Sequence, residues 1–150
     1  MRLMKLTFML WSIVMAAATA YADDIKIHVS GIEPARGGTL YVMLFAKDGY
    51  PKKHAKAIEK QKVPADKTEM DFTFTTDRDD VAIKVHHDED GNGKVTKNWT
   101  GIYPAEGLGF SQGQRLKMTG APSYRKSKIM REGFSTLVEI DLRYSKKKKS

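Results

Sequence analysis

Oxygen-bearing side chains recur at alternate positions of one short loop, which is the spacing that calcium-binding loops use. Asp88, Asp90 and Asn92 occupy the first, third and fifth positions of that pattern, and Gly93 occupies the sixth, where the chain must turn sharply. Position 12 is Trp99, whereas a helix-loop-helix calcium site has a bidentate Glu there. Because Trp99 cannot bind a cation, we expect other loop residues to complete the site. The predicted calcium ligands are Asp88, Asp90, Asn92, the Lys94 carbonyl, Thr96 and Glu106.

The same segment has a second interpretation, in which it is only a tight turn. Asp-Gly and Asn-Gly, which both occur within residues 90–93, are common turn dipeptides. Residues 77–90 hold six acids and only two bases, and a divalent cation would relieve the repulsion among the acids. Both interpretations stay open. If a cation binds, many flexible oxygen ligands favour calcium over magnesium.

The four histidines are the other candidate metal ligands. His86 and His87 are adjacent, and adjacent residues of a regular strand point to opposite faces, so their rings cannot hold one ion. His87 lies on an apolar face, where we expect a half-buried ring with hydrogen bonds to the long loop 88–120. His28 and His54 are expected to be solvated. The histidine pattern therefore predicts no zinc or copper site.

Catalytic patterns are sparse, and the sequence predicts a protein that is not an enzyme. The chain has no cysteine, which excludes thiol nucleophiles, disulfides and zinc ribbons. Ser111 follows Gly-Phe but lacks the G-x-S-x-G pattern of a nucleophile elbow. Asp88 and Glu106 offer a pair of carboxylates, but two acids of one loop are more often ligands or solvated groups than a glycosidase dyad.

Two groups of residues are candidates for binding a partner. Trp99, Tyr103 and Phe110 lie on the long loop, where they would bind a glycan or a protein of the cell envelope, although Phe110 is better suited to closing the end of the fold. Residues 107–131 contain no acid and would bind acidic polysaccharide or lipid head groups, or only keep an edge strand soluble. The basic residues of this segment are Arg115, Lys117, Arg125, Lys126, Lys128 and Arg131.

Short stretches of alternating apolar and polar residues must position these groups. About seven strands and no long amphipathic helix predict an all-β fold, an antiparallel two-sheet sandwich. Both faces of 39–46 are apolar, so we expect this strand to be covered on both sides. Residues 50–62 interrupt the alternation and predict a short helix or a long loop. The expected strands include 25–29, 39–46, 70–75, 81–87 and 138–144, with an edge strand at 124–129.

The ends of the chain predict where the protein works. Residues 1–22 have a basic start, an apolar run shorter than a membrane span and an Ala-Tyr-Ala site, so they predict a cleaved signal peptide and no transmembrane segment after cleavage. A sandwich domain would occupy 23–145, followed by a basic, disordered tail at 146–150. Without the signal peptide and tail the net charge falls from +8 to +2. We expect a periplasmic or secreted monomer that does not bind nucleic acid.

Two segments resemble the paired motifs of a bacterial family of secreted proteins known as domain of unknown function 2141. They read H-D-E-D-G-N-G-K at 87–94 and G-I-Y-P-A-E-G-L-G-F-S at 101–111. The resemblance implies a secreted or periplasmic sandwich of immunoglobulin-like or transthyretin-like type, and it implies no established activity. The sequence departs from the family pattern at Thr96, where Asp is usual, at Tyr103, which is an additional residue, and at Asp79-Asp80, where a Pro-Gly turn is expected.

Overall fold

The computed structural model describes residues 21–145, so nearly all of the predicted signal peptide and the whole basic tail lie outside the described residues. Within 21–145 the chain forms eight strands, one α-helix and three short 3-10 turns. The strands are β1 (Asp23–Ser30), β2 (Thr39–Phe45), β3 (Glu59–Pro64), β4 (Met70–Thr76), β5 (Asp80–Asp88), β6 (Gly107–Phe110), β7 (Ile129–Met130) and β8 (Val138–Asp141). The helix is α1 (Tyr124–Ser127), and the 3-10 turns are Pro34–Arg36, His54–Lys56 and Arg131–Gly133.

The strands form two sheets, which confirms the predicted sandwich. One sheet has the order β4-β1-β8, and the other has the order β3-β2-β5-β6, with β7 paired to the start of β5. All pairs are antiparallel except β1 with β8, which run parallel. A parallel pair needs a long crossover, and here most of the chain lies between its two strands.

The core is built from the apolar half of each alternating strand. Ile25, Ile27 and Val29 of β1 are fully buried, and Phe74 and Phe72 of β4 lie opposite the first two of them. Burying each such side chain contributes about 1.5 to 3 kcal/mol. A slip of one residue would turn this apolar set toward solvent, so the burial pattern also sets the strand register.

The sheet that contains β2 and β5 is covered on its outer face as well, which confirms the prediction for β2. Phe45 is buried there and packs edge-on against Tyr50, with 5.6 Å between ring centroids. Strand β5 is buried along its whole length after its first residue. Lys84, His86 and Asp88, which alternate with its core residues, are therefore shielded from water.

Two segments show where local sequence signals were overridden. Residues 50–62 contain only one 3-10 turn, His54–Lys56, and from Glu59 onward they belong to β3, which pairs with β2. Pairing with a neighbouring strand outweighs the helix propensity there. The prediction of an edge strand at 124–129 was wrong, because four of these residues form α1 and β7 begins only at Ile129.

Strand β6, which interrupts the predicted long loop 88–120, joins the two sheets. The N–H groups of Leu108 and Arg143 each donate to the other residue's carbonyl, at 3.0 and 2.9 Å. Gly109 permits this approach, because a Cβ at that position would lie 2.6 Å from Cγ2 of Ile140. Because β6 is held by β5 on one side and by the chain after β8 on the other, the residue before it has a defined position.

Candidate functional site

Strand β5 ends at Asp88, whose buried carboxylate organises the loop that follows. Asp88 Oδ1 accepts a hydrogen bond from the Gly91 N–H at 2.9 Å, and Oδ2 accepts one from the Gly93 N–H at 2.8 Å. The two glycines have φ values of 75° and 72°. This left-handed conformation lets the backbone wrap around the carboxylate, as it does at the first position of a calcium loop.

Glu106 returns to the same place because β6, which begins at the next residue, pairs with β5. Its side chain is buried. Glu106 Oε2 accepts hydrogen bonds from His86 Nε2 at 2.7 Å and from the Thr96 N–H at 2.9 Å. Its Oε1 accepts one from the Glu89 N–H at 3.0 Å. One carboxylate thus links the start and the middle of the loop to β5.

Asp90 completes a cluster of three carboxylates. It is exposed, and its Oδ2 accepts a hydrogen bond from the Thr96 hydroxyl at 2.6 Å. One oxygen atom from each of Asp88, Asp90 and Glu106 lies within 4.8 Å of the other two. We call these three residues the acid cluster. Three of the six predicted calcium ligands therefore lie close enough together to contact one cation.

The other predicted ligands lie around the acid cluster in a different arrangement. Asn92 Oδ1 accepts a hydrogen bond from the Lys94 N–H at 2.7 Å, and its Nδ2 donates to Asp90 at 3.0 Å and to Thr96 Oγ1 at 2.7 Å. Asn92 thus presents its NH₂ group, not its oxygen, to the acid. Thr96 contacts Asp90 through its hydroxyl, and the Lys94 side chain is exposed.

The acid cluster has a surplus of negative charge. No lysine or arginine within 21–145 forms an ion pair with any of its three members. His86 contacts Glu106, but burial lowers the pKa of His86, against the raising effect of that hydrogen bond, and so favours the neutral imidazole. The hydrogen bonds that the two buried carboxylates accept therefore come from neutral donors, and the third carboxylate, on Asp90, is exposed beside them.

A buried lysine lies on the same face but is directed elsewhere. Lys84 Nζ donates to the Pro51 carbonyl at 2.9 Å and to His54 Nε2 at 2.7 Å. Burial lowers the pKa of Lys84 to about 8. His54 Nδ1 in turn lies 3.3 Å from the Gly93 carbonyl, and burial followed by the charge of Lys84 lowers the pKa of His54 to about 4. The prediction that His54 is solvated was wrong.

Comparison with known proteins identifies the family. The chain matches, over residues 27–138, the model of a family described as an uncharacterized protein conserved in bacteria, DUF2141. The chain belongs to the DUF2141 family. The matched region contains the whole acid cluster, and the match confirms the resemblance that the paired motifs indicated. No curated protein and no solved structure matches the chain.

His87 has a structural role in this DUF2141 protein. Its ring is fully buried, Nε2 donates to the Gly37 carbonyl at 2.5 Å, and Nδ1 accepts from the Tyr144 hydroxyl at 2.7 Å. The ring thus ties the β1–β2 connection to the chain after β8, and not to the long loop as predicted. His28 is only partly exposed, and its Nδ1 lies 2.7 Å from Asp71 Oδ1.

The predicted aromatic surface of this DUF2141 protein is divided. Phe110 is buried on the outer face of the sheet, opposite Lys84 in the β5–β6 pair. Its ring therefore packs within the fold and is not exposed to a partner. Trp99 is strongly exposed and Tyr103 is partly exposed. Both belong to a small hairpin at 97–104, whose ends meet in a bridge between Lys97 and Pro104. We call it the tip hairpin.

The predicted basic surface is divided as well. Lys128 Nζ forms an ion pair with Asp80 at 3.1 Å, and Arg131 pairs with Asp23 at 2.5 Å and with Asp79 at 3.3 Å. These two cations hold the 128–131 segment to β5 and β1. Asp79 and Asp80, two of the six acids in residues 77–90, are therefore paired with cations. The exposed members of the set are Arg115, Lys117, Arg125 and Lys126.

Sequence reasoning missed Lys84 and His54 as partners in a buried polar contact. Lys84 falls at a polar position of an alternating strand, a pattern that indicates exposure. The chain after β2 covers the outer face at this point, where Pro51 and His54 both contact Lys84. Among residues 21–145, no helix is long and apolar enough to cross a membrane.

Proposed function

We propose that this protein is a noncatalytic binding module of the bacterial cell envelope, periplasmic or secreted, and that its 88–106 loop binds calcium. The observation that carries the proposal is the convergence of Asp88, Asp90 and Glu106, two of which are buried. Buried charges in proteins are paired or coordinate metals. A divalent cation at the acid cluster would supply the positive charge that the surrounding side chains do not.

The donor atoms of the loop suit calcium. Carboxylates and a threonine hydroxyl are hard oxygen donors, which favour calcium or magnesium over zinc and copper. The two Asp88 oxygens each accept one hydrogen bond and retain a lone pair for a cation. With Trp99 and Thr96 in place of acidic ligands, the site has few charges. We expect a dissociation constant on the order of 10⁻⁴ to 10⁻³ M, as in extracellular calcium modules.

The contacts of the candidate catalytic groups support a noncatalytic role. Ser111 is buried, and its hydroxyl donates to the Ser127 carbonyl at 2.6 Å, so it serves the fold and not a substrate. Asp88 and Glu106 accept hydrogen bonds from backbone N–H groups within the protein. Both carboxylates are thus engaged within the protein, whereas the two carboxyl groups of a glycosidase flank the scissile bond of its substrate.

Calcium is expected to raise the melting temperature of residues 23–150. A ligand that binds only the folded state adds about 1.4 kcal/mol at tenfold excess over Kd. This gain corresponds to a shift of roughly 3 to 6 °C for a domain of this size. The measurement is a thermal melt followed by circular dichroism, in excess EDTA and in millimolar calcium chloride.

Isosteric variants test where calcium binds. Asp88→Asn and Asp90→Asn should lose most of the calcium-dependent shift, and Asp90→Asn is the cleaner variant because Asp90 is exposed. Asp66→Asn removes the same charge from an exposed position outside the acid cluster and should keep the full shift. An unchanged melting temperature in the unmodified protein, or a full shift in both cluster variants, would contradict the proposal.

A second candidate function rests on the exposed cations at Arg115, Lys117, Arg125 and Lys126. Their positive charge suits acidic polysaccharide or anionic lipid surfaces. Because Lys128 and Arg131 are engaged in ion pairs, this surface is smaller than the sequence alone indicated. Vesicle or polysaccharide binding that depends on Arg125 and Lys126 would favour this candidate.

A further inference from the structure

The tip hairpin (97–104) is held in shape by its own hydrogen bonds. The Asn98 N–H donates to the Tyr103 carbonyl at 2.7 Å, and the Gly101 N–H donates to the Asn98 carbonyl at 2.8 Å. Asn98 Oδ1 also accepts a hydrogen bond from the Thr100 hydroxyl at 2.5 Å. The turn therefore presents the side chains at its tip in a defined arrangement.

Two large apolar side chains are exposed at this tip. Trp99 is 85% exposed and Ile102 is 69% exposed. Exposed apolar groups that cluster on an ordered element, with polar residues around them, are typical of interaction sites. Lys97, the first residue of the hairpin, and Lys94, three residues before it, are exposed as well. The hairpin thus combines two exposed apolar residues with two exposed cations on the chain that enters it.

We infer that the tip hairpin docks onto membranes that contain anionic phospholipids. Tryptophan partitions into the membrane interface because its ring is apolar and its N–H is polar. The charges of Lys94 and Lys97 complement anionic head groups. The inference rests on the proposed function for its calcium dependence, because Thr96, at the base of the hairpin, is hydrogen-bonded to both Asp90 and Glu106.

Ile102 favours a lipid partner over a glycan. Carbohydrates stack on aromatic faces and exchange hydrogen bonds with polar groups, and an exposed aliphatic side chain supplies neither. Entry of the same side chain into the acyl-chain boundary removes apolar surface from water, and the strength of such binding grows with that area and with attraction to anionic lipids. An apolar tip that follows two exposed lysines therefore matches a membrane surface in both respects.

The test is vesicle binding by the chain from residue 23 onward, which contains every strand of both sheets. The full sequence has two tryptophans, Trp11 and Trp99, so Trp99 is the only one in this chain. With calcium present, vesicles of phosphatidylcholine and phosphatidylglycerol in equal amounts should shift Trp99 emission to shorter wavelength and co-sediment the protein. Vesicles of phosphatidylcholine alone should bind at least about tenfold more weakly, because each lysine contributes about fivefold at an anionic surface.

Substitutions at exposed positions separate the contributions without affecting the core. Trp99→Ala should weaken binding by about tenfold or more, and Ile102→Ser should weaken it severalfold. Met118→Ser, at an equally exposed apolar residue of another loop, should have no effect. Lys94→Gln with Lys97→Gln should weaken binding, whereas Arg125→Gln with Lys126→Gln removes the same charge elsewhere and should not. Asp90→Asn should remove only the part of the binding that needs calcium.

The outcomes distinguish this inference from the proposed function. Binding to anionic vesicles that is lost in the hairpin variants supports it, whether or not calcium enhances the binding. Absence of vesicle binding, or binding that depends on Arg125 and Lys126 and not on Trp99, overturns it. Binding to purified peptidoglycan with none to vesicles would assign the hairpin to a glycan and would also overturn it. A calcium-dependent melting shift that persists in Trp99→Ala would leave the proposed function intact in either case.

Discussion

At the residue scale, burial on the outer face of β5 changes what its polar side chains do. Lys84, His86 and Asp88 lie at the polar positions of an alternating strand, yet all three are buried. Burial lowers the pKa of His86 and so favours its neutral form. Burial also lowers the pKa of Lys84 to about 8, but the ammonium is still largely charged at pH 7 and is directed toward Pro51 and His54, away from the acid cluster. Neither group offsets the charge of the acid cluster, so we expect a bound cation there.

His54 makes the fold sensitive to acid. Its pKa is lowered to about 4 by burial and by Lys84, so the folded state favours neutral His54 while the unfolded chain takes up a proton near pH 6.5. The stability that it contributes is present above pH 6.5 and is lost as the pH falls from 6.5 toward 4. Because the ring is only about half buried, we expect a loss of about 1 kcal/mol between pH 7 and pH 5.

His28 provides a control of opposite sign. The hydrogen bond to Asp71 raises the pKa of His28, so its contribution is present at low pH and is lost as the pH rises through the raised value. Urea denaturation at pH 7 and pH 5 should show a smaller acid loss in His54→Gln than in the unmodified protein, and a larger one in His28→Gln. Equal losses in all three proteins would show that neither histidine has the assigned environment.

At the element scale, the connection between β1 and β2 controls how closely the chain approaches the end of β5. Gly37 and Gly38 both have positive φ, at 65° and 78°. A Cβ on Gly38 would lie 2.2 Å from the Asp88 carbonyl oxygen, whereas a Cβ on Gly37 would meet nothing within 4 Å. Both positions therefore favour glycine for their backbone conformation. Only at position 38 would a side chain also collide with the backbone of Asp88.

These two glycines form a matched pair for mutation. Gly37→Ala adds backbone strain only, and we expect it to lower the free energy of unfolding by about 1 to 2 kcal/mol. Gly38→Ala adds a clash with a backbone atom, which cannot rotate away, so its loss should reach about 3 kcal/mol or more. Urea titration of both variants measures the difference. A loss in Gly38→Ala no larger than that in Gly37→Ala would contradict the close packing against Asp88.

At the scale of the whole molecule, the first described strand begins where the predicted signal peptide ends. Strand β1 starts at Asp23, and Asp23 pairs with Arg131, so the described fold needs no side chain before residue 23. Cleavage after Ala22 would leave both sheets complete. The chain from residue 23 onward would carry a formal charge of +6, of which the basic tail supplies +4, so the domain itself carries +2. Binding of the domain itself to anionic surfaces would depend on local groups such as Lys94 and Lys97.

Processing at this position is testable in cells. N-terminal sequencing of protein from an envelope fraction should begin at Asp23. Ala20→Glu, which disrupts the small residue of the cleavage site, should keep the precursor uncleaved, whereas Tyr21→Ser, at the unconstrained middle position, should be processed normally. A chain that still begins near Met1 in the unmodified protein would contradict both the export and the envelope location.

Local patterns in the sequence determined the sandwich, the core-facing sides of β1 and β5, the cover on both faces of β2, and the meeting of Asp88 with Asp90. Alternation along one strand and spacing within one turn are short-range properties, so they can be read from neighbouring residues. The paired motifs determined the family for the same reason. The tight turn around Asp88 follows from glycines placed three and five residues after it.

The tertiary structure alone decided which exposed-looking residues are buried and which loop residues meet across the fold. Lys84 and His54 are 30 residues apart, and they touch because the chain after β2 covers the outer face of β5. Glu106 reaches Asp88 because β6 pairs with β5. Pairing of the predicted edge strand with β5 begins only at Ile129, and residues 124–127 before it form α1. Each outcome depends on long-range pairing and cover, whose energy comes from groups that no short sequence window contains.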